Sequence, residues 1–160
     1  MTDKSQYSTL FVCTANQCRS PMAEALFKQY LKEEEIDPEQ WRVTSAGCWA
    51  YPDLPATQFA VQTVKNMGCD LSFHTAQSVS DDLLKDYSLI LCMESEHKKF
   101  IKRNFPESSN NVFLFSEMIG KEFEIDDPVG GQLEDYEKTA IILKKIMHSG
   151  FEKIRSLSRN

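Results

Sequence analysis

Cys13 and Arg19 are separated by five residues, and a serine follows at once, in the run Val12-Cys13-Thr14-Ala15-Asn16-Gln17-Cys18-Arg19-Ser20-Pro21. A short loop entering a helix can turn its backbone N–H groups inward, as anion-binding nests and helix N-termini do. An arginine closing such a loop offers a planar fork that matches two phosphate oxygens. Amide dipoles, helix terminus and guanidinium then converge on Cys13 and favour a negative sulfur. The chemistry this permits is attack by sulfur on a bound phosphoryl group. A core cysteine followed by a surface arginine would show the same spacing. The apolar run ending on Cys13, Ser20 after the arginine and Pro21 in the first helical turn favour the cradle instead.

Such a loop needs a strand end before it and a helix after it, and the flanking pattern provides both. Thr9 to Cys13 reads as a strand buried on both faces. Met22 to Glu34 reads as a helix, with Ala23, Leu26, Phe27, Tyr30 and Leu31 near one stripe. Strand patterns recur at Trp41 to Ser45, Ser88 to Met93 and Val112 to Phe115. Helix patterns recur at Ala56 to Met67 (Gly68 as its stop), Asp81 to Lys85, Ser95 to Arg103 and Leu133 to Leu157. The last helix is expected to turn Ile141, Ile142, Ile146 and Phe151 inward, to be interrupted at Gly150 and to fray at a polar end. Strands alternating with helices imply an α/β domain with a four-stranded parallel sheet covered on both faces. Ligands collect beyond strand C-termini at the topological switch of such sheets, which places the first strand centrally with Cys13 at that point.

The 160 residues suffice for one domain, 1–160, and show no repeat or linker. A net charge of −6 argues against nucleic acid or an anionic membrane as partner, so the phosphate cup is a local positive site on an acidic body. No apolar run approaches the ~20 residues that span a bilayer. The polar stretch Met1 to Gln6 lacks a secretory apolar region. Five cysteines, odd in number and without metal-ligand clustering, fit a reducing compartment. A cytoplasmic, monomeric enzyme or regulator without cofactor or metal is the expectation.

Over almost its whole length the chain resembles the low-molecular-weight protein tyrosine phosphatases. The resemblance rests on the cysteine loop with Met22-Ala23-Glu24-Ala25 after it, on Thr44-Ser45-Ala46-Gly47, on His74, on Leu91-Cys92-Met93-Glu94 and on the late Asp127-Pro128. It implies a flavodoxin-like three-layer sandwich and hydrolysis of phosphotyrosine in a protein or peptide, with inorganic phosphate as product and inhibitor. Cys13 is then the nucleophile that forms a phosphocysteine, and Arg19 with the amides of Thr14, Ala15, Asn16, Gln17 and Cys18 holds the phosphoryl oxygens. Asp127 acts as general acid and then base. It is preferred to Asp126 because it precedes Pro128 as in the family, where proline keeps its neighbour extended. Ser20 assists departure of the thiolate, or caps the helix start. Asn16, Ser45 and His74 match a hydrogen-bond network that shapes the loop. Cys18 matches a cysteine that pairs with the nucleophile under oxidation, or simply fills space beneath the loop. Cys48, Cys69 and Cys92 are read as packing residues.

The sequence also departs from the family. Ala15 replaces a common glycine and would be strained at positive φ. Val129, Gly130 and Gly131 stand where many members carry aromatics that flank the substrate ring. Trp49 and Tyr51 are candidates for the remaining pocket wall, or cover the core edge. Thr14 beside the nucleophile and Asp127-Pro128 with Gly130-Gly131 resemble a bacterial branch that dephosphorylates protein arginine, and that branch links such a threonine to phosphoarginine. An arsenate reductase on the same fold would need a late cysteine pair, but only Cys92 is present and position 99 is lysine. A phosphate-dependent binding module would have no use for a nucleophile and an acid together.

Overall fold

The computed structural model describes residues 5–160; the first four residues of the polar amino-terminal stretch lie outside them. Strands β1 (Tyr7–Cys13), β2 (Trp41–Gly47), β3 (Leu89–Cys92) and β4 (Val112–Leu114) form one parallel sheet in the order β2-β1-β3-β4. Five helices accompany them among the described residues: α1 (Arg19–Glu33), α2 (Gln58–Asn66), α3 (Asp81–Lys85), α4 (Ser95–Asn104) and α5 (Leu133–Leu157).

The side-chain alternation of a strand divides the core into two layers. Phe11 and Cys13 of β1 face the apolar stripes of α1, α2 and α5 (Met22, Phe27, Val64, Ile146). Leu10 and Val12 face Leu84 of α3 and Ile101 of α4. With both faces covered, β1 is apolar almost throughout, as central parallel strands are. The chain leaves β1 for β2 on one side and later crosses to β3 on the other. The crevice at the carboxyl end of β1 opens at that reversal, and Cys13 is the last residue of the strand.

Several boundaries differ from the sequence expectation. Helix α1 begins at Arg19 rather than Met22, which makes the guanidinium part of its first turn. Helix α5 runs unbroken through Gly150. A Cβ at Gly150 would lie 2.9 Å from the Met118 carbonyl oxygen, so the glycine permits close approach rather than ending the helix. The buried stripe of α5 is Tyr136, Ala140, Leu143, Ile146, Met147, Phe151 and Ile154, whereas Ile141 and Ile142 are exposed. Ile141 and Ile142 follow Ala140 around the helix and fall beside the buried stripe rather than on it. The end of α5 is anchored rather than frayed. Ser158 is fully buried with its hydroxyl 2.7 Å from Thr9 Oγ1, and the Ser8 N–H donates to its carbonyl at 2.8 Å.

Candidate active site

Residues 14–18 make the turn from β1 into α1, and they curl because their carbonyls are claimed from outside the loop. The Cys13 carbonyl accepts from Cys48 N–H at 2.9 Å, Thr14 from Trp49 N–H at 2.9 Å and Gln17 from Thr57 N–H at 2.8 Å. His74 Nε2–H donates to the Asn16 carbonyl at 2.7 Å. The amides of Thr14 through Arg19 have no partner elsewhere in the described chain. Backbone N–H groups require acceptors, so a ring of such amides beside a helix start is suited to bind an anion.

Asn16 carries the bend, with φ of 55° in the left-handed region that asparagine tolerates. Ala15 is not among the residues of positive φ, so it bears none of the strain expected of it. The Asn16 side chain is fully buried. Its Nδ2 donates to Ser20 Oγ and to Ser45 Oγ at 2.9 Å each, and its Oδ1 accepts from Gln77 N–H at 2.9 Å. Because Ser20 Oγ accepts from Asn16, its own hydrogen can point to the Cys13 sulfur, 2.9 Å away. The structure thus brings Asn16, Ser20, Ser45 and His74 into one network around the nucleophile position. Gly47 completes the fit: a Cβ there would meet the Thr14 carbonyl oxygen at 2.7 Å and Asn16 N at 2.9 Å.

Arg19 is fully buried and held from several sides. Its Nη1 lies 2.8 Å from Glu94 Oε1 and donates to the Ile125 carbonyl at 2.7 Å. Its Nη2 lies 3.3 Å from Asp127 Oδ2 and donates to Thr14 Oγ1 at 3.2 Å. The second nitrogen therefore faces the two groups nearest the chemistry, while the first is anchored. Asp127 is exposed and its Oδ1 accepts from Val129 N–H at 3.1 Å. Cys13, Ala15, Gln17, Cys18, Arg19, Thr57, Asp127 and Val129 line one cavity of about 130 Å³. Asp126 lines only the neighbouring groove, so the geometry separates the two aspartates that sequence left in competition.

Two expected residues lie outside the lining of this cavity, and Thr14 belongs to the loop through its backbone. Trp49 and Tyr51 are not in the lining of this cavity. Trp49 packs edge-on against Phe100 with ring centres 5.1 Å apart, and Tyr51 is exposed. Thr14 likewise is absent from the lining, its hydroxyl turned toward Arg19 and His97. Gln17 does reach the cavity, with Nε2 donating to the Pro55 carbonyl at 2.9 Å.

Sequence reasoning gave Glu94 no role beyond its part in the resemblance, and did not single out His97, Gln77 or Thr57. The first two had a signal: Glu94 stands two residues past β3, on the same sheet edge as Cys13, and His97 is one helical turn further. His97 is fully buried, accepts at Nδ1 from Glu94 N–H at 3.1 Å, and so carries its proton on Nε2, 2.8 Å from Thr14 Oγ1. Burial first, then the nearby Arg19 charge, lowers its pKa to about 4 and keeps it neutral. Burial also raises the Cys18 thiol, assisted by Asp127 and Cys13, and pushes Cys48 up to about 12. These thiols stay protonated and do not compete as nucleophiles. Cys92 is fully buried within β3 and raised well above the ordinary thiol value, which denies it a relay role. Among the described residues no cluster of three or more His, Cys, Asp or Glu is placed to hold a metal ion, and no helix is long and apolar enough to cross a membrane.

Comparison with known proteins agrees with this geometry. A family model described as low molecular weight phosphotyrosine protein phosphatase matches residues 8–159. A protein-arginine-phosphatase of Bacillus subtilis (strain 168) is 34% identical over 139 residues, 86% of this chain and 90% of that protein. The probable low molecular weight protein-tyrosine-phosphatase EpsP of Ralstonia solanacearum is 34% identical over 148 residues, 92% of this chain and 96% of its own. Among solved structures, the low molecular weight protein tyrosine phosphatase from T. tengcongensis superposes with a TM-score of 0.86 at 38% identity, covering 92% of this chain and 99% of that one. With a cysteine-to-arginine loop at the mouth of the central strand and a family match from end to end, this chain belongs to the low molecular weight phosphotyrosine protein phosphatases.

Proposed function

We propose that the protein hydrolyses phosphotyrosine monoesters in polypeptides through a phosphocysteine intermediate. The observation that carries this reading is the ring of unpartnered amides from Thr14 to Arg19 around Cys13, closed by a buried guanidinium. The Cys13 sulfur attacks phosphorus in line with the ester oxygen, which leaves with a proton from Asp127. The loop amides and Arg19 stabilise charge on the three remaining oxygens. An entering phosphoryl group replaces Asp127 as partner of Arg19 Nη2, which frees the carboxyl for the ester oxygen. Water then attacks the phosphocysteine, Asp127 takes its proton, and the Ser20 hydroxyl steadies the departing thiolate. Every group in this sequence comes from one chain, so a monomer suffices. A free Cys13 thiol suits a reducing, cytoplasmic setting, and the presence of Cys18 in the lining of the same cavity supports a protective role for it as partner in a reversible disulfide.

One observation favours a second reading, a protein-arginine phosphatase. No aromatic side chain is among the residues lining the Cys13 cavity itself, which gives a phenyl ring no special advantage there. The two readings separate by kcat/KM on matched phosphotyrosine and phosphoarginine peptides, with acid quench and mass spectrometry of the Cys13 peptide. Preference for phosphotyrosine with phosphate trapped on Cys13 supports the first, and preference for phosphoarginine selects the second. Turnover unaffected by Cys13→Ser would remove both.

A further inference from the structure

Beside the Cys13 cavity lies a larger groove of about 350 Å³, formed by the Asp127 loop and α5. The two share Asp127 and Val129 in their linings, so a polypeptide presenting its phosphoresidue to Cys13 has the groove immediately beside it. Its apolar surface comes from Phe123, Val129 and Ile142, each partly exposed at 37%, 57% and 38%. Ile142 is one of the residues expected in the core, and its place on this wall explains an apolar side chain turned outward. The charged lining is lopsided: Glu124, Asp126, Asp127 and Asp135 face a single cation, Lys138. Asp127 pairs with Arg19 and, once substrate enters, serves the ester oxygen, while Glu124 is bonded to Ser95 and Asp135 to the Gln132 N–H. Asp126 has no hydrogen-bond or ion-pair partner among the described residues.

We infer that this groove is a substrate subsite for a basic side chain, lysine or arginine, adjacent to the phosphorylated residue. The inference rests on the phosphatase reading above and names the substrate class it prefers. A long basic side chain lays its methylenes on Val129, Phe123 and Ile142 and brings its cationic head to the Asp126 carboxylate. An acidic neighbour would meet the same carboxylates and be repelled, and a small ester would not reach the groove.

The test uses the full chain, two peptides that differ only in carrying Lys or Glu on both sides of the phosphoresidue, and para-nitrophenyl phosphate. The phosphoresidue is whichever of phosphotyrosine and phosphoarginine the enzyme turns over. The Lys peptide is expected to exceed the Glu peptide in kcat/KM by about fivefold or more at low salt, shrinking as salt rises. Asp126→Asn should bring that ratio toward one. Ile142→Ser should weaken the Lys peptide through KM while leaving para-nitrophenyl phosphate turnover unchanged. Equal rates on both peptides, a Glu preference, or a Lys preference that survives Asp126→Asn would overturn the subsite. If neither peptide nor the small ester is turned over, the catalytic reading fails instead. The subsite is then judged by calorimetric binding of the two peptides to the unmodified protein, where equal affinities would refute it.

Discussion

Arg19 has two acceptors at each of its Nη nitrogens, and one of the four, Asp127, is the carboxyl we propose as the acid. A general acid contributes in proportion to the proton the leaving group needs. Asp127→Asn is therefore expected to lower kcat/KM, which reports formation of the phosphocysteine, by about 10²–10³-fold on poor leaving groups and far less on para-nitrophenyl phosphate. Leaving-group dependence of kcat/KM checks this, and an equal loss of kcat/KM on all esters would remove Asp127 from the acid role. His97 makes a second residue-scale prediction. Its folded pKa of about 4 lies below its ordinary 6.5, so the unfolded chain binds the extra proton as pH falls between those values. Stability present above pH 6.5 is thus lost on descent toward pH 4, by about 2 kcal/mol at pH 5 for this one group. Urea unfolding of His97→Gln at pH 7.5 and pH 5 should show a smaller difference than the parent, whatever the variant's stability at pH 7.5.

Two glycines decide how the elements approach one another. At Gly47, the last residue of β2, a methyl group would press on the Thr14 carbonyl and the Asn16 amide, backbone that cannot swing aside. Gly47→Ala should leave the sheet folded and displace the loop, costing about 100-fold in kcat/KM, since ångström-scale misplacement costs that much. Circular dichroism beside kinetics separates the two effects. Gly150 lies mid-helix, where alanine would ordinarily gain about 1 kcal/mol of helix propensity. The added Cβ would lie 2.9 Å from the Met118 carbonyl oxygen and 3.0 Å from its Cβ, an overpacking cost of about 1–3 kcal/mol. Overpacking exceeds propensity here, and Gly150→Ala should lower Tm by about 3 °C. A rise in Tm would show that α5 can shift away from Met118 without loss.

At the scale of the whole molecule, a body of net charge −6 carries a buried arginine beside the ring of loop amides at the carboxyl end of an inner strand. An anion that fills the amide ring binds the folded chain alone and stabilises it by mass action, about 2.7 kcal/mol at a hundred times Kd. Inorganic phosphate or vanadate at that level should raise Tm by about 5–10 °C, given about 2–4 °C per kcal/mol for a chain of this size. Arg19→Ala should abolish the rise. Sodium chloride at equal ionic strength serves as the control, and an equal shift with chloride would mean that no phosphate site is being filled.

The cysteine loop, its serine and the strand before it were readable because their order is local: a strand end, a turn and a helix start within a short stretch of chain. The α/β alternation was readable for the same reason, from periodicity alone, and Asp127 from its neighbour Pro128. What sequence could not supply was which distant segments close on that loop. Glu94, His97, Ile125 and Gln77 meet it only because β3 and the segments that follow pack beside β1, and no spacing along the chain encodes that meeting. The inward face of α5, the use of Gly150 and the position of Trp49, Tyr51 and the Thr14 side chain outside the cavity lining were likewise decided by packing. Local backbone preference fixes which chemistry a stretch can offer, whereas close packing of remote elements selects the side chains that surround it.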